Sequence, residues 1–380
     1  MYWQQRYLKE GRTFESATTG LETVDLPKTG LLSGLELRVW GTCGTGADKP
    51  DVWLHNRLKK IELIVNGSKV VKSLSGDQLL ADMLYKKTPL YSHDMKNMSG
   101  ASAEEFFFIN LGRFYHDLDY MLDLGKVNDP ELRIDYDFGM TSHNGWTNGV
   151  AMSAAPSYSL IPHILREPEV PPKGYIKTSE VSRFTGAASK KENMKLPMGP
   201  VYANLYLQSF YASQGIGYLL DKLELNINND ALIPMRVGAT ELAAEVARMY
   251  GLLQWSEQAS YKGGQAYPMA LEQGVFQPSP MGLVAYETRY FDLWGQANTI
   301  AFKDTATGLT PYTGNLNLAF TLLGIFPFSV SAIPVFDLMD EKTWIRSADL
   351  GDLWLRVEGN ASMGTSVALK LLADEVVTAY

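Results

Sequence analysis

The 380-residue sequence contains one cysteine, Cys43, which excludes an intramolecular disulfide framework and a cysteine-built zinc site. No run approaches 18 consecutive apolar residues, so no stretch reads as a transmembrane helix. Basic residues are outnumbered 34 to 42, giving a net charge of −8, and no basic stripe breaks that balance. Proteins that wrap nucleic acid directly carry the opposite bias, so no direct nucleic-acid contact is expected. The opening Met1-Tyr2-Trp3-Gln4-Gln5-Arg6 lacks the basic-then-apolar order of a signal peptide. The chain reads as a soluble protein made inside a cell. Heptads are missing too, whereas 33 glycines, 18 prolines and 11% aromatics are present, a balance that points to β-structure. With 46% apolar and 20% charged residues the chain has material for a sizeable core, so wholesale disorder is excluded.

The clearest local signal is Ile61-Glu62-Leu63-Ile64-Val65-Asn66-Gly67-Ser68-Lys69-Val70-Val71. Two β-rich runs flank Asn-Gly, which tolerates positive φ at both centres of a type I′ turn, so a hairpin is predicted. Behind it, Ser75 or Asp77 can cap a short helix whose Leu79, Leu80, Met83 and Leu84 share one face.

The same unit recurs. Lys222-Leu223-Glu224-Leu225-Asn226-Ile227-Asn228-Asn229 is followed by Ala231-Leu232-Ile233-Pro234 and a helical run from Thr240 to Tyr250. Without a gap, at an offset of 162 (222 − 60), Lys60, Glu62, Leu63, Asn66, Gly76, Leu80 and Ala81 match Lys222, Glu224, Leu225, Asn228, Gly238, Leu242 and Ala243. Upstream, Leu26-Pro27 precedes Leu35-Glu36-Leu37-Arg38-Val39 as Leu196-Pro197 precedes Leu205-Tyr206-Leu207. Downstream, Asp123-Leu124-Gly125 precedes Leu132-Arg133-Ile134-Asp135 as Asp349-Leu350-Gly351 precedes Leu355-Arg356-Val357-Glu358. Four matches in one order argue for a duplicated domain. The proline-rich Arg166-Glu167-Pro168-Glu169-Val170-Pro171-Pro172-Lys173-Gly174 disfavours helix and central strand and marks the boundary. The expected division is an N-terminal arm (1–25), a first unit (26–165), a linker (166–195) and a second unit (196–380). Where the first unit spends about 20 residues after its helix, the second spends about 75, an excursion (251–326) too long to be a structureless loop.

Each unit carries roughly eight short strands with turn signals every 8–15 residues, which fits an antiparallel jelly roll. An all-β chain of two tandem eight-stranded jelly rolls, with short helices and a long insertion in the second, resembles the double jelly-roll major capsid proteins of tailless double-stranded DNA viruses. These are of the adenovirus and tectivirus type, membrane-containing bacteriophages among them. The Leu-Glu-Leu-Arg-Val strand, the Ile-Glu-Leu-Ile-Val-Asn-Gly hairpin with its helix, the Phe106-Phe107-Phe108-Ile109-Asn110-Leu111-Gly112 run and the Asp-Leu-Gly…Leu-Arg-Ile-Asp element carry the resemblance. It implies homotrimers shaped as pseudo-hexagonal blocks that tile an icosahedral shell. The insertion would form an outward tower, and the arm would face the interior. The implied partners are other copies, other capsid or vertex proteins and, through the arm, internal membrane lipid. The implied location is the virion, after synthesis in the host cytoplasm. The arm itself, with Arg6, Lys9 and Arg12 among Tyr2, Trp3, Tyr7, Leu8 and Phe14, reads equally as a weakly amphipathic lipid-facing helix or as an extension packed on a neighbouring subunit.

Chemistry is sought and not found. His55, His93, His116, His143 and His163 are scattered singly, without the paired histidines of metal-binding jelly-roll enzymes. In Tyr115-His116-Asp117-Leu118-Asp119, read as a strand, His116 and Asp117 point apart, leaving solvated edge polarity. Gly41-Thr42-Cys43-Gly44-Thr45-Gly46 continues Ala47-Asp48-Lys49-Pro50 and so lacks the Gly-Lys-Ser/Thr of a phosphate loop. Cys43 has no histidine near it in sequence and reads as a loop thiol. Asp117, Asp119, Asp123, Asp129, Glu131, Asp135 and Asp137 lack the spacing of a calcium loop. Asn66, Asn97 and Asn360 head glycosylation patterns that mean little without a secretory signal. No catalytic, cofactor or metal residue is therefore assigned, and no enzyme activity is expected. The alternative is a tandem lectin-like sandwich whose Trp255, Tyr261, Tyr267, Tyr286, Tyr290 and Trp294 stack on sugar rings.

Overall fold

A computed structural model of the chain describes all residues except 46–51, 89–94, 97–99, 101, 148, 212–213, 263–265, 269–271, 281–288, 293–298, 305–314, 365–366 and 379–380. Strands β1 (Tyr2–Gln5), β2 (Lys9–Thr13) and β3 (Thr19–Asp25) lead into the long β4 (Leu31–Thr42). The hairpin β5 (Leu58–Val65) and β6 (Lys69–Leu74) runs into helix α1 (Gly76–Tyr85). The short β7 (Met95–Lys96), β8 (Ser102–Asn110), the short β9 (Leu122–Asp123), β10 (Glu131–Asp137) and β11 (Ser157–Arg166) complete the first half. The second half opens with β12 (Tyr175–Thr185), β13 (Lys191–Lys195) and β14 (Val201–Phe210). A one-turn helix α2 (Ile216–Leu219), the hairpin β15 (Leu220–Ile227) and β16 (Leu232–Gly238), and helix α3 (Ala239–Tyr250) follow. The excursion comprises β17 (Leu253–Lys262), β18 (Ala266–Pro268), β19 (Glu272–Pro280), β20 (Arg289–Asp292), β21 (Thr299–Asp304) and β22 (Asn315–Ile325). Then come β23 (Val330–Ala332), β24 (Ile345–Arg346), β25 (Leu353–Gly359) and β26 (Ala368–Val377).

Each half is a sandwich of two four-stranded layers. In the first, β1-β11-β4-β8 pairs with a layer ordered β6-β5-β10-β3; in the second, β12-β26-β14-β23 pairs with β13-β25-β15-β16. Alternation drives the packing. Leu132, Ile134 and Tyr136 of β10 are fully buried while Arg133 and Asp135 lie between them half-exposed, and β25 repeats the pattern with Leu353, Leu355 and Val357. One core cluster takes in the inner faces of both sandwiches. The halves are joined edge to edge, because β12 pairs in parallel with β6 (Thr178 with Lys72, Ser179 with Ser73). One layer of each sandwich thereby merges into a single nine-stranded sheet.

The duplication is visible in the register. Asn66 and Gly67 take φ of 54° and 77° in the first hairpin turn, and Asn228, Asn229 and Asp230 take 55°, 50° and 68° in the second. Each leading asparagine ties its turn to the chain before the third strand of the layer: Asn66 Oδ1 accepts from the Asn128 amide at 2.7 Å, and Asn228 Oδ1 from the Gly351 amide at 2.6 Å. The ungapped offset of 162 holds only up to this turn. Leu63 faces Lys72 whereas Leu225 faces Met235, and the helix caps are Ser75 and Gly238, so from the turn onward the offset is 163 (235 − 72; 238 − 75). The extra turn residue shifts every later match by one. In the other layer, the β4–β11 and β14–β26 ladders carry bulges at matching places, beside His163 and beside Asn204. Aligned on them, His163 occupies the place of Asp374, Glu36 that of Tyr206, Arg38 that of Gln208, and Gln5 that of Thr178.

Three expectations are corrected. Residues 1–25 are no separate arm or helix: β1 and β2 pair with β11 and β3 with β10, the place that β12 and β13 take in the second half. No apolar alternation reveals β3: Leu21 is exposed while Glu22 and Val24 share the buried face, with Glu22 accepting from the Tyr158 hydroxyl. The linker does not extend to 195, because Tyr175–Thr185 is a central strand; the connection between the two sandwiches is the proline-rich 167–174. The base of the excursion is core rather than projection. Leu253, Trp255, Leu322, Ile325 and Phe326 are buried, and Glu272 accepts from the Gly217 amide at 3.1 Å.

Candidate assembly site

The residues singled out for chemistry fall into separate structural roles. His55 is buried with Nδ1 2.5 Å from Glu105 Oε1, and His143 Nε2 lies 3.1 Å from Asp77 Oδ2. Burial pushes the Asp77 carboxyl up, but His143 and His55 together hold it well below the usual range. His116 Nε2 sits 3.0 Å from His163 Nδ1 under the stacked Trp3 ring; burial first, then His163, pulls His116 down to about 4. His93 and Asn97 lie outside the described residues. Tyr115–Asp119 is a loop rather than a strand edge, with His116 at φ 60°, and Asp117 is buried, gripping Arg113 Nε at 2.7 Å and Nη2 at 3.0 Å. Cys43 is a buried free thiol whose backbone pairs with that of Met152; part of its glycine-rich segment is outside the described residues. Of the carboxylate series, Asp123 caps Gly125, Asp129 meets Lys28 at 2.9 Å and Asp137 meets Lys59 at 3.3 Å. Among the described residues no group of three or more His, Cys, Asp or Glu side chains converges as a metal site. Trp255 is buried against Phe328, and the side chains of Tyr261, Tyr267, Tyr286, Tyr290 and Trp294 lie outside the described residues.

The concentrated chemistry lies where the two sandwiches meet. Lys72 of β6, Asp82 of α1 and Lys86 at the end of that helix face Thr178 of β12, Tyr206 of β14 and Asp374 of β26, all buried. Lys72 Nζ contacts Asp82 Oδ2 at 2.7 Å, the Asn110 carbonyl at 2.9 Å and Thr178 Oγ1 at 2.9 Å. Lys86 Nζ reaches Asp82 Oδ1 at 2.7 Å and Asp374 Oδ1 at 3.2 Å, while the Tyr206 hydroxyl donates to Asp374 Oδ2 at 2.9 Å. Two cations and two anions close a neutral network. Burial pulls Lys72 down to about 8 against the attraction of Asp82. Burial also acts on Lys86, but Asp374 and Asp82 outweigh it and raise this amine above the lysine norm. Around the network, Gln78 Nε2 donates to Gln208 Oε1 at 3.0 Å and the Tyr85 hydroxyl donates to the Val330 carbonyl at 2.7 Å. Sequence reading missed all of these, because a lysine or aspartate in an alternating run looks like ordinary surface polarity until a segment a hundred or more residues away covers it.

The corresponding surfaces at the outer ends of the chain are uncovered. Among the described residues, β16 ends one layer and β1 ends the opposite one with no further strand paired beside them. Leu232 and Ile233 of β16, Met249 of α3 and Leu252 just after it are exposed, as are Tyr2 and Tyr7 at the other end. Free edges and exposed apolar residues of this kind are covered in working assemblies. The fold is thus a double jelly roll with one sealed seam and, among the described residues, two uncovered ends.

No protein-family model matches the chain, and no curated protein matches it in sequence. Solved structures do. The major capsid protein of Sulfolobus turreted icosahedral virus aligns with a TM-score of 0.58 at 12% identity, covering 100% of this chain and 98% of that one. The PBCV-1 capsid protein VP54 aligns at 0.57 and 10% identity over 99% and 94%. The major capsid protein of bacteriophage PM2 aligns at 0.51 and 11% identity over 98% of both chains. The chain has the double jelly-roll fold of these viral capsid proteins from end to end.

Proposed function

We propose that the chain is a major capsid protein whose trimers, pseudo-hexagonal in outline, tile an icosahedral virion, and that it catalyses nothing. One observation carries this: the whole chain, not a part of it, aligns with whole capsid subunits, both sandwiches included. The open edges at β1 and β16 fit a subunit that is completed by other copies. Contacts with other capsid or vertex proteins belong to the same reading. An internal membrane would be met through the exposed Met1 at the chain's start rather than through a helix. A bacteriophage source is its narrowest part, supported by the likeness to the PM2 protein. The lectin alternative draws no support from Trp255, the one of its six candidate aromatics whose side chain is described, which is buried. Electron microscopy of the purified protein tests the proposal. Blocks of near-hexagonal outline that pack into sheets or shells are expected, and a field of separate, single-chain particles would refute it.

A further inference from the structure

The seam inside the chain has a counterpart whose two halves are both present and both open. At the sealed seam, β6 and α1 of the first sandwich meet β12, β26, β14 and β23 of the second. At the open ends, β16 and α3 hold the place of β6 and α1, and β1, β11, β4 and β8 hold the place of the other four. At the offset of 163, Asp77, Gln78, Ala81, Tyr85 and Lys86, all buried in the seam, correspond to Thr240, Glu241, Ala244, Arg248 and Met249, all exposed on α3. On the other side, Tyr206, Gln208 and Val330 are buried, whereas the equivalent Glu36, Arg38 and Phe106 are half-exposed.

Resting on the capsid reading, we infer that α3 and β16 of one copy dock on the β1–β11–β4–β8 face of a second copy, reproducing the internal seam, with Glu241 seated on the second copy's Arg38. Chemistry at matched positions supports this pairing. Gln78 donates to Gln208 in the sealed seam; the same two positions at the open ends hold an acid, Glu241, and a base, Arg38. Tyr85 reaches the Val330 carbonyl; its counterpart Arg248 comes to Phe106, two residues along β8 from Glu104, which already pairs with Arg38. Glu241, Arg38, Glu104 and Arg248 would then alternate in sign, as Lys72, Asp82, Lys86 and Asp374 do in the internal network. Lys86 over Asp374 becomes Met249 over His163, so the uncharged partner meets the imidazole cluster, and the β6–β12 pairing becomes β16 beside β1, covering both free edges. Complementary charges across such a face set partner choice and register.

Charge reversal tests it, read by sedimentation of the full chain across a concentration series. E241R alone is expected to raise the concentration for half-association by about tenfold or more. R38E/E104R keeps its own internal pair with reversed sign and should weaken association similarly. Combining it with E241R/R248E should restore association to near the native value. If the native chain associates but E241R leaves it unchanged, this docking is wrong while the capsid reading stands. If the native chain never associates, the capsid reading falls and the docking with it.

Discussion

Helices α1 and α3 occupy the same place in the two sandwiches, yet all ten residues of α1 are buried and only Leu242, Ala243 and Val246 of α3 are. The inward faces agree, since those three correspond to the buried Leu79, Leu80 and Met83. The outward faces differ because one is covered by the rest of the chain and the other is not. Their composition follows: α1 turns Asp82, Lys86 and Tyr85 outward into a closed polar network, and α3 turns Glu245, Met249 and Arg248 outward to the surface. A duplicated unit thus keeps its core and rewrites its outer face according to what covers it. The permanent contact can use buried ion pairs, which are costly to leave unpaired, while a surface exposed before assembly keeps only charges that water also satisfies.

The largest expected effect comes from breaking the sealed seam. Asp374→Leu strands Lys86 and Lys72 with one buried carboxylate between them, and should cost about 3–5 kcal/mol in denaturant unfolding. Reversing the exposed Glu245–Arg248 pair on α3 should move the same midpoint by less than about 0.5 kcal/mol. Tyr85→Phe removes a hydroxyl that donates to the Val330 carbonyl and accepts from the Ala332 amide at 3.2 Å, leaving both buried and unpaired. A loss of about 1–3 kcal/mol is expected, against no measurable loss for Arg248→Ala in the isolated chain.

The seam should also make the stability of the chain depend on pH. The folded Lys72 loses its proton near 8, well below the ordinary 10.5, so between those values the unfolded chain binds more protons than the folded one. Stability therefore rises with pH in that window, by at most about 1.4 kcal/mol per unit. Burial raises Tyr85 and Tyr206 far above 10, which reverses the trend only beyond about pH 10, where unfolded tyrosines ionise. Urea midpoints at pH 7.5 and 9.5 should show the gain, and Lys72→Met, which installs the residue of the counterpart position 235, should reduce it, leaving the share of Lys370, whose amine burial also pulls down. The smallest contrast lies at the caps. Ser75 closes a capping box with Gln78, whereas Gly238 caps α3 without a side chain. Ser75→Ala should cost about 1 kcal/mol and Gly238→Ser should gain a few tenths, both read as shifts in thermal midpoint.

What could be read in the sequence was local. The Asn66-Gly67 turn, the β5–β6 hairpin and the capped α1 each rest on residues within a few positions of one another. The second hairpin was legible through its likeness to the first, although one additional turn residue, hidden by the tolerance of Asn228-Asn229-Asp230 for positive φ, displaced the helix alignment. Strand β12 was not legible, because Lys177, Ser179 and Glu180 give it no apolar alternation; its burial comes from β26 and β6 on either side. The assembly surfaces escaped for the same physical reason. Arg38 and Glu241 are unremarkable polar positions until the internal seam shows what their counterparts touch.

A subunit completed by copies of itself shows this most directly in its mass in solution. Mass photometry or sedimentation equilibrium of the purified chain at micromolar concentration should give three times 42.3 kDa, or larger multiples of that unit. A fully folded species that stays at 42.3 kDa across the whole concentration range would contradict it.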